Sequence, residues 1–177
     1  MMPSKVGVPY PNTYWVVHGR LLAGEHPTEL NDDATMAKLA ALLDAGIRTF
    51  VDLTETREMK SYDPLLRTLA EDRRTKITFH RIAIPDRGVP SVSTLRWILD
   101  EIDRSTREEN PVFVHCFAGI GRTGTVVGCY LRRHGLARQG EVVAQIAELR
   151  RLMPGGRETS PHTPEQVCMV ESWEYGA

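Results

Sequence analysis

The chain has 177 residues, a formal net charge of −1 at pH 7 and 41% hydrophobic residues. At roughly 150 residues per domain, this length predicts one domain over residues 1–177. The composition excludes a disordered chain, and the near-neutral charge argues against a basic groove for nucleic acid. The sequence has no apolar run of the ~18 residues that a membrane helix needs, and we expect no signal peptide because residues 1–8 lack an apolar core.

The three cysteines form no Cys-x-x-Cys pair, so the sequence predicts neither a disulfide framework nor a zinc ribbon. We expect Cys129 to lie in the core and Cys168 to be structural. His115 and Cys116 are adjacent, which places their side chains on opposite faces of a strand and argues against a shared metal ion. We therefore expect a monomer in a reducing cytoplasm, with no metal, no cofactor and no membrane or nucleic-acid partner.

The first half of the chain alternates short strands and helices. Two strands around Gly19 predict a hairpin at the edge of a sheet, and a helix follows between the capping residue Asn31 and Gly46. A strand, a less regular helix and a second strand complete this half. The strands are predicted at residues 14–18, 20–23, 47–53 and 77–84, and the less regular helix is predicted at residues 64–73.

The second half centres on a short, apolar, β-branched segment at residues 111–115, which is typical of a buried central strand. One helix precedes it and three helices follow it, the last with Thr163 as its N-cap. These helices are predicted at residues 93–109, 123–134, 140–152 and 164–173, with a loop at residues 154–163. Strand–helix alternation of this kind predicts an α/β fold, with a mostly parallel central sheet flanked by helices.

The loop from Cys116 to Arg122 joins the predicted central strand to a helix, at the sheet edge where ligands bind in such folds. Its two glycines allow the backbone N–H groups to turn inward and form an anion-binding nest. The helix N-terminus adds partial positive charge, and the Arg122 guanidinium can bind two oxygens of a tetrahedral oxyanion. The predicted phosphate-binding residues are Phe117, Ala118, Gly119, Ile120, Gly121 and Arg122.

The same positive field favours an ionised Cys116. Helix N-termini and neighbouring cations lower the pKa of a cysteine from about 8.5 to roughly 3.5–7.5. We therefore expect a thiolate at neutral pH, aimed at the bound anion. A nucleophile beside an electrophilic phosphorus allows covalent catalysis through a thiophosphate intermediate. The backbone donors and Arg122 would stabilise the charge on the equatorial oxygens during transfer.

The segment at residues 115–124, H-C-F-A-G-I-G-R-T-G, resembles the Cys-x5-Arg signature of the cysteine-dependent protein tyrosine phosphatase superfamily. It looks most like the compact dual-specificity branch, and the wider resemblance runs over about residues 21–170. The resemblance implies a protein tyrosine phosphatase-like fold that works without metal or cofactor. It also implies hydrolysis of phosphate monoesters, by default phosphotyrosine and phosphoserine or phosphothreonine in proteins, through a phosphocysteine intermediate.

Asp86 is the candidate general acid. Protonating the leaving oxygen speeds its departure by roughly 10²–10⁴, and the resemblance implies such an acid on a separate upstream loop. Asp86 follows a predicted strand and lies in the segment I-P-D-R-G-V-P-S, which could close over substrate. The loop lacks the tryptophan of the larger tyrosine-specific enzymes. The alternative for Asp86 is a turn residue that caps its own backbone, as Asp-x-Gly segments often do.

The resemblance implies roles for three further residues. Thr123 would donate a hydrogen bond to the Cys116 sulfur, and its alternative is an ordinary helix-start residue. His115 would order the loop, and its alternative is a strand histidine with partners of its own. Gln166, in S-P-H-T-P-E-Q, would help to place the hydrolytic water, and its alternative is an exposed helix residue.

Three cations fall in loops that we expect near the mouth of the pocket, namely Arg57, Lys60 and Arg87. Such side chains could attract an anionic substrate toward the phosphate-binding loop. The alternative for all three is a solvated loop residue, which is the ordinary role of a charged side chain on a protein surface.

Three other functions stay open. A phosphoinositide or inositol phosphate phosphatase is less favoured, because relatives of that kind often carry lysine where this loop has Phe117 and Ile120. A non-hydrolytic phosphate-binding module is argued against by the presence of a nucleophile, a phosphate-binding arginine and an acid together. Thiol chemistry such as arsenate reduction or sulfur transfer is the third, and arsenate reduction needs a reductant. Cys129 is predicted to be buried, and this disfavours a reducing thiol within the chain itself.

Overall fold

The structure is a computed structural model that describes residues 7–177. The strands are β1 (Thr13–Val17), β2 (Leu21–Gly24), β3 (Thr49–Asp52), β4 (Thr78–Arg81) and β5 (Val112–His115). The helices are α1 (Asp32–Asp44), α2 (Asp63–Asp72), α3 (Val92–Arg107), α4 (Gly121–Arg133), α5 (Val142–Arg150) and α6 (Pro164–Ser172). Among the described residues, no helix is long and apolar enough to cross a membrane. The expectation about a signal core in residues 1–8 falls mainly on residues 1–6, outside the described part.

β5 lies at the centre of the sheet, whose strand order is β1-β2-β5-β3-β4. β2, β5, β3 and β4 run parallel, and β1 pairs antiparallel with β2 as a hairpin at the edge. Every residue of β5 is buried, as expected for a strand with a neighbour on each side and helices on both faces. The predicted α/β fold with a mostly parallel, helix-flanked sheet is confirmed.

Successive residues of β5 face opposite layers of the protein. Phe113 packs with Leu22 and Phe50 in the core under α1 and α2. Val112 and Val114 pack instead in the core that the sheet shares with α3 to α6. Because side chains alternate across a strand, this one apolar segment supplies both halves of the core.

The parallel register brings the carboxyl ends of three strands to one edge of the sheet. His115 is level with Gly24 of β2 and with Asp52 of β3. The chain then leaves β5 through Cys116 and enters α4 at Gly121. The predicted phosphate-binding loop therefore lies at this edge, between the sheet and a helix N-terminus.

Most element boundaries differ from the prediction by one to three residues, and two of these differences lie next to the predicted site. α4 begins at Gly121, two residues before the predicted start at residue 123. The Gly124 N–H already donates to the Ile120 carbonyl at 3.1 Å, so the helical hydrogen bonding starts inside the loop. β4 is shorter than predicted and ends at Arg81, ahead of the loop that carries the candidate acid.

The two cysteines outside the loop have different environments. Cys129 is fully buried on α4, as expected. Cys168 is exposed, contrary to the structural role that we expected for it. The reason is the orientation of α6, which turns Gln166 and Val170 toward the core. These two residues are four apart and share one helix face, and Cys168 lies between them on the outer face.

Candidate active site

Cys116 lies at the base of a cavity of about 220 Å³ at the carboxyl edge of the sheet, and it is 3% exposed. Three segments line this cavity: the loop after β5, the loop that carries Asp86, and Glu158 with His162 ahead of α6. Arg122 is part of the lining as well. The structure therefore brings together the three residues for which the sequence predicted the central roles.

Backbone packing determines the shape of the loop. Gly119 has a φ of +70°, which other residues adopt only at a cost. A Cβ at Gly119 would lie 2.4 Å from the carbonyl carbon of Gly24, at the end of β2. Close by, the His26 N–H donates to the Phe117 carbonyl at 2.9 Å. Within the described chain, the N–H groups of residues 117–121 have no acceptor, which leaves them available to an anion.

The guanidinium of Arg122 is buried and bound at two points by one carboxylate. Its Nη1 donates to Glu58 Oε2 at 2.7 Å, and its Nη2 donates to Glu58 Oε1. Nη1 also donates to the Ile84 carbonyl at 3.1 Å. Pairing at two points holds the plane of the guanidinium, so the arginine is positioned before any substrate arrives.

Glu58 is a site residue that the sequence analysis missed. It lies 64 residues before Arg122, in the loop T-E-T-R-E-M-K, which contains two glutamates and two cations. Nothing in the spacing of this loop separates Glu58 from an ordinary solvated carboxylate. Only the tertiary fold, which turns the loop after β3 toward α4, reveals the contact.

Arg122 and Glu58 each stabilise the charged form of the other. Burial would lower the pKa of Arg122, but the hydrogen bond to Glu58 and the neighbouring Cys116 raise it overall, which keeps the guanidinium charged. The hydrogen bond from Arg122 lowers the pKa of Glu58 in turn. Glu58 therefore stays ionised at pH values where an ordinary glutamate begins to take up a proton.

Asp86 lies at the mouth of the cavity with its carboxylate facing Arg122. Asp86 Oδ1 is 3.3 Å from Arg122 Nη2, and the Asp86 side chain is 68% exposed. The turn of this loop is closed by the backbone, since the Gly88 N–H donates to the Pro85 carbonyl at 2.9 Å. The turn is thus closed without the carboxylate, which lies at the mouth of the cavity, where the acid role requires it.

Gln166 is fully buried, so the alternative of an exposed helix residue is wrong. Its Oε1 accepts from the backbone N–H groups of His162 and Thr163, which closes a capping box at the start of α6. Its Nε2 donates to the Gly88 carbonyl at 3.0 Å. Gln166 therefore connects α6 to the loop of the candidate acid. Its role toward the hydrolytic water stays a prediction.

The hydrogen bond that the resemblance implies from Thr123 to the Cys116 sulfur is not formed. The Thr123 hydroxyl is buried and has no hydrogen-bond partner among residues 7–177. Because α4 begins at Gly121, Thr123 lies inside the first turn rather than at the helix start. A role in stabilising the departing thiolate stays a prediction.

His115 has a neighbour at each ring nitrogen. Its Nε2 lies 2.7 Å from the Tyr62 hydroxyl, and its Nδ1 lies 3.2 Å from the carbonyl oxygen of Cys116. Burial lowers the pKa of His115 to about 3, so the ring is neutral at physiological pH. His115 thus fits both alternatives: it has polar partners of its own, and its ring contacts the first peptide of the loop.

The three predicted cations differ in their position. Arg87 lines the cavity beside the candidate acid. Lys60 is exposed, and its Nζ lies 3.6 Å from the carboxylate of Asp32, which places it in a surface pair. Arg57 is exposed. The structure therefore favours Arg87 as the cation that an incoming anion meets.

A buried cluster lies below the loop and includes His26, Asp52 and His115, whose potential ligand atoms are within 4.8 Å of one another. Two observations argue against a metal at this position. The Nε of Arg81 is 3.4 Å from the Asp52 carboxylate and already supplies positive charge, and both ring nitrogens of His115 have polar neighbours. The cluster therefore fits a buried polar network better than a metal centre.

The chain is similar in sequence to known phosphatases. Residues 26–136 match the family model described as "Tc-R-P: Polymorphic toxin system, DSP-PTPase phosphatase". The mouse dual specificity protein phosphatase CDC14B is 38% identical over 91 residues, which cover 51% of this chain and 17% of the relative. The mouse dual specificity protein phosphatase CDC14A is 29% identical over 139 residues, or 75% of this chain and 21% of the relative. The chain thus spans about a fifth of the length of these curated relatives.

Solved structures share the fold over nearly the whole chain. Tk-PTP in its active form has a TM-score of 0.71 at 25% identity, covering 93% of this chain and 97% of that chain. PTPMT1 in complex with PI(5)P has a TM-score of 0.69, covering 91% of this chain and 93% of that chain. At 19% identity, PTPMT1 shows a common fold alone.

Together, the fold and these similarities place the chain in the cysteine-dependent protein tyrosine phosphatase superfamily. The family model covers more than half of the chain. The chain therefore belongs to the family described as polymorphic toxin system, DSP-PTPase phosphatase. The predicted membership of the superfamily and the predicted fold are confirmed.

Replacing Gly119 by alanine is expected to weaken the binding of inorganic vanadate at least tenfold. The new Cβ would strain a left-handed residue by roughly 1–2 kcal/mol and would also collide with the Gly24 backbone. Gly19 is the matched control, because it has the same φ of +70° but nothing within 4 Å of its Cβ position. We expect Gly19→Ala to lose some stability in urea unfolding and to keep vanadate binding. Equal vanadate affinities for the two variants would contradict this account of the loop.

Proposed function

We propose that this chain hydrolyses phosphate monoesters on phosphoproteins, with phosphotyrosine and phosphoserine or phosphothreonine as substrates, through a phosphocysteine intermediate. One observation carries the proposal. Cys116 lies at the base of a cavity whose wall places Arg122 and Asp86 together, 3.3 Å apart, with free backbone N–H groups around the same space. A nucleophile, an oxyanion site and an acid at the mouth are the three parts that phosphoryl transfer to a side chain needs.

In the first step, the phosphate oxygens bind to the N–H groups of residues 117–121 and to Arg122. The ionised Cys116 sulfur attacks phosphorus in line with the leaving oxygen, so that an S–P bond forms while the P–O bond breaks. Asp86 transfers its proton to the leaving oxygen, which departs as a neutral alcohol or phenol. Charge on the three equatorial oxygens is spread over donors that are already in place, so little reorganisation is needed.

In the second step, water attacks the phosphocysteine. Asp86, now ionised, accepts a proton from that water, the S–P bond breaks, and Cys116 leaves as a thiolate. Inorganic phosphate then departs and the site returns to its starting state. Each step moves one proton to or from Asp86, so this single carboxyl serves both halves of the reaction.

The rim of the cavity supports a protein substrate. Phe117 is 55% exposed beside the nucleophile, and Ile120 also lines the cavity. These apolar side chains suit the ring or the methylene groups that carry the phosphate of a modified protein side chain. The monomeric state, the cytoplasmic location and the expected lack of membrane and nucleic-acid partners remain predictions.

The direct test of this function is phosphate release across a panel of phosphopeptides, phosphoinositides, inositol phosphates and nucleotides. We expect the wild-type chain to release phosphate from the phosphopeptides in the presence of EDTA, and Cys116→Ser to release none. Tight binding of phosphopeptides without release would indicate a binding module. Faster release from phosphoinositides or inositol phosphates would overturn the choice of substrate class, and loss of activity in EDTA would overturn the mechanism.

The acid role of Asp86 predicts a dependence on the leaving group. Asp86→Asn should lower kcat/KM, which reports the step that forms the phosphocysteine, by roughly 10²–10⁴ for phosphoserine and phosphotyrosine peptides, because their leaving oxygens need a proton. The loss should be much smaller for p-nitrophenyl phosphate, whose phenolate leaves readily without one. Steady-state kinetics on the three substrates measures this difference. A uniform loss across all three would rule out proton donation by Asp86.

A further inference from the structure

Arg81, the last residue of β4, has its side chain against the loop of residues 54–59. Its Nη2 donates to the carbonyls of Glu55 and Met59 at 3.0 and 2.8 Å and to the Thr54 hydroxyl at 2.9 Å, and its Nε donates to the Thr54 carbonyl at 3.2 Å. One guanidinium thus contacts both ends of a short loop. Arg81 makes no contact with the cavity around Cys116 and has no place in the mechanism above.

Asp52 completes this arrangement from the end of β3. It is fully buried, and its Oδ1 accepts from the Thr54 N–H at 2.9 Å and from the Thr54 hydroxyl at 2.6 Å. Its Oδ2 lies 3.4 Å from the Nε of Arg81. A buried carboxylate needs such hydrogen bonds and a nearby positive charge. Together, Asp52 and Arg81 hold the loop where it leaves β3.

Glu58 is the residue that the clamped loop presents to the site. It lies between two residues whose carbonyls Arg81 binds, Glu55 and Met59. Inside the loop, the Glu55 N–H donates to Glu58 Oε2 at 3.1 Å, and the Glu58 N–H donates to the Glu55 carbonyl at 3.0 Å. The position of the Glu58 carboxylate, and with it the plane of the Arg122 guanidinium, therefore depends on a loop that Arg81 holds.

We propose that Arg81, supported by Asp52, is a positioning residue for the oxyanion site: it holds the loop of residues 54–59 so that Glu58 orients Arg122 toward the bound phosphate. The inference rests on the proposed function and adds a part of the molecule that does not touch substrate. Arginine suits this role because its planar fork reaches several oxygens at once, whereas a lysine ammonium reaches the same oxygens only one or two at a time.

A double-mutant cycle between Arg81 and Glu58 tests the proposal, with inorganic vanadate as the probe in isothermal titration calorimetry. We expect Arg81→Met and Glu58→Gln each to weaken vanadate binding about tenfold, the effect of losing one charge-assisted contact. The double variant should bind no more weakly than Glu58→Gln alone, because the two residues act on Arg122 through one path. Additive losses would overturn the proposal.

Stability measurements separate positioning from a merely structural role. Arg81→Lys keeps the charge beside Asp52, so we expect it to restore much of the free energy of unfolding without restoring vanadate affinity. Arg104→Met is the matched control, because this arginine of α3 pairs with Glu101 and Glu108 instead. Its vanadate affinity should equal that of the wild type. If Arg81→Lys instead restored vanadate affinity together with the free energy of unfolding, the role of Arg81 would be structural only. That result would overturn the inference.

The outcomes also separate this inference from the proposed function. Wild-type phosphate release together with unchanged vanadate affinity in Arg81→Met would refute the positioning role and leave the phosphatase mechanism intact. Vanadate binding without phosphate release would refute the enzymatic function, and the cycle would still decide the role of Arg81. A wild-type chain that neither releases phosphate nor binds vanadate would refute both.

Discussion

A buried guanidinium beside the proposed nucleophile Cys116 is the constraint on which the rest of this site depends. Arg122 is 2% exposed, and burying a charge without a partner costs several kcal/mol. Glu58 supplies the partner and binds the guanidinium with both carboxylate oxygens. The pairing keeps the arginine charged and holds its plane, so a phosphate meets a donor that is already oriented. Preorganised donors of this kind stabilise a transition state without reorganising during the reaction.

The sheet makes this arrangement possible by bringing distant segments to one edge. The ends of β2, β3 and β5 are level with one another, and the loop after β5 packs backbone to backbone against the end of β2 at Gly24. The segment after β3 provides Glu58, and the segment after β4 provides Asp86. At the far side, Gln166 of α6 binds the Gly88 carbonyl. The chemistry is thus assembled from strand ends, while each side chain is held by contacts outside the cavity.

Local patterns in the sequence predicted most of the fold and the centre of the site. The apolar run of β5, the glycines of the loop and the six-residue offset from Cys116 to Arg122 are all short-range signals, and the structure places them as expected. The parts that were missed depend on long-range packing. Glu58 looks like any loop glutamate until the fold turns it toward Arg122, and Cys168 is exposed because of how α6 docks. The Thr123 hydroxyl is buried without a hydrogen-bond partner in the described chain, and no sequence pattern encodes that.

The central claim is that one sulfur is ionised beside an anion site, and alkylation by iodoacetamide across a pH series tests it most directly. The exposed Cys168 is an internal reference in the same chain, and the buried Cys129 should stay unmodified. The account predicts that Cys116 is alkylated at pH 6, where an ordinary thiol with a pKa of about 8.5 is almost fully protonated, and that inorganic phosphate protects it. At pH 6, Cys168 should react more slowly than Cys116. Reaction of Cys116 in step with Cys168, unaffected by phosphate, would contradict the account.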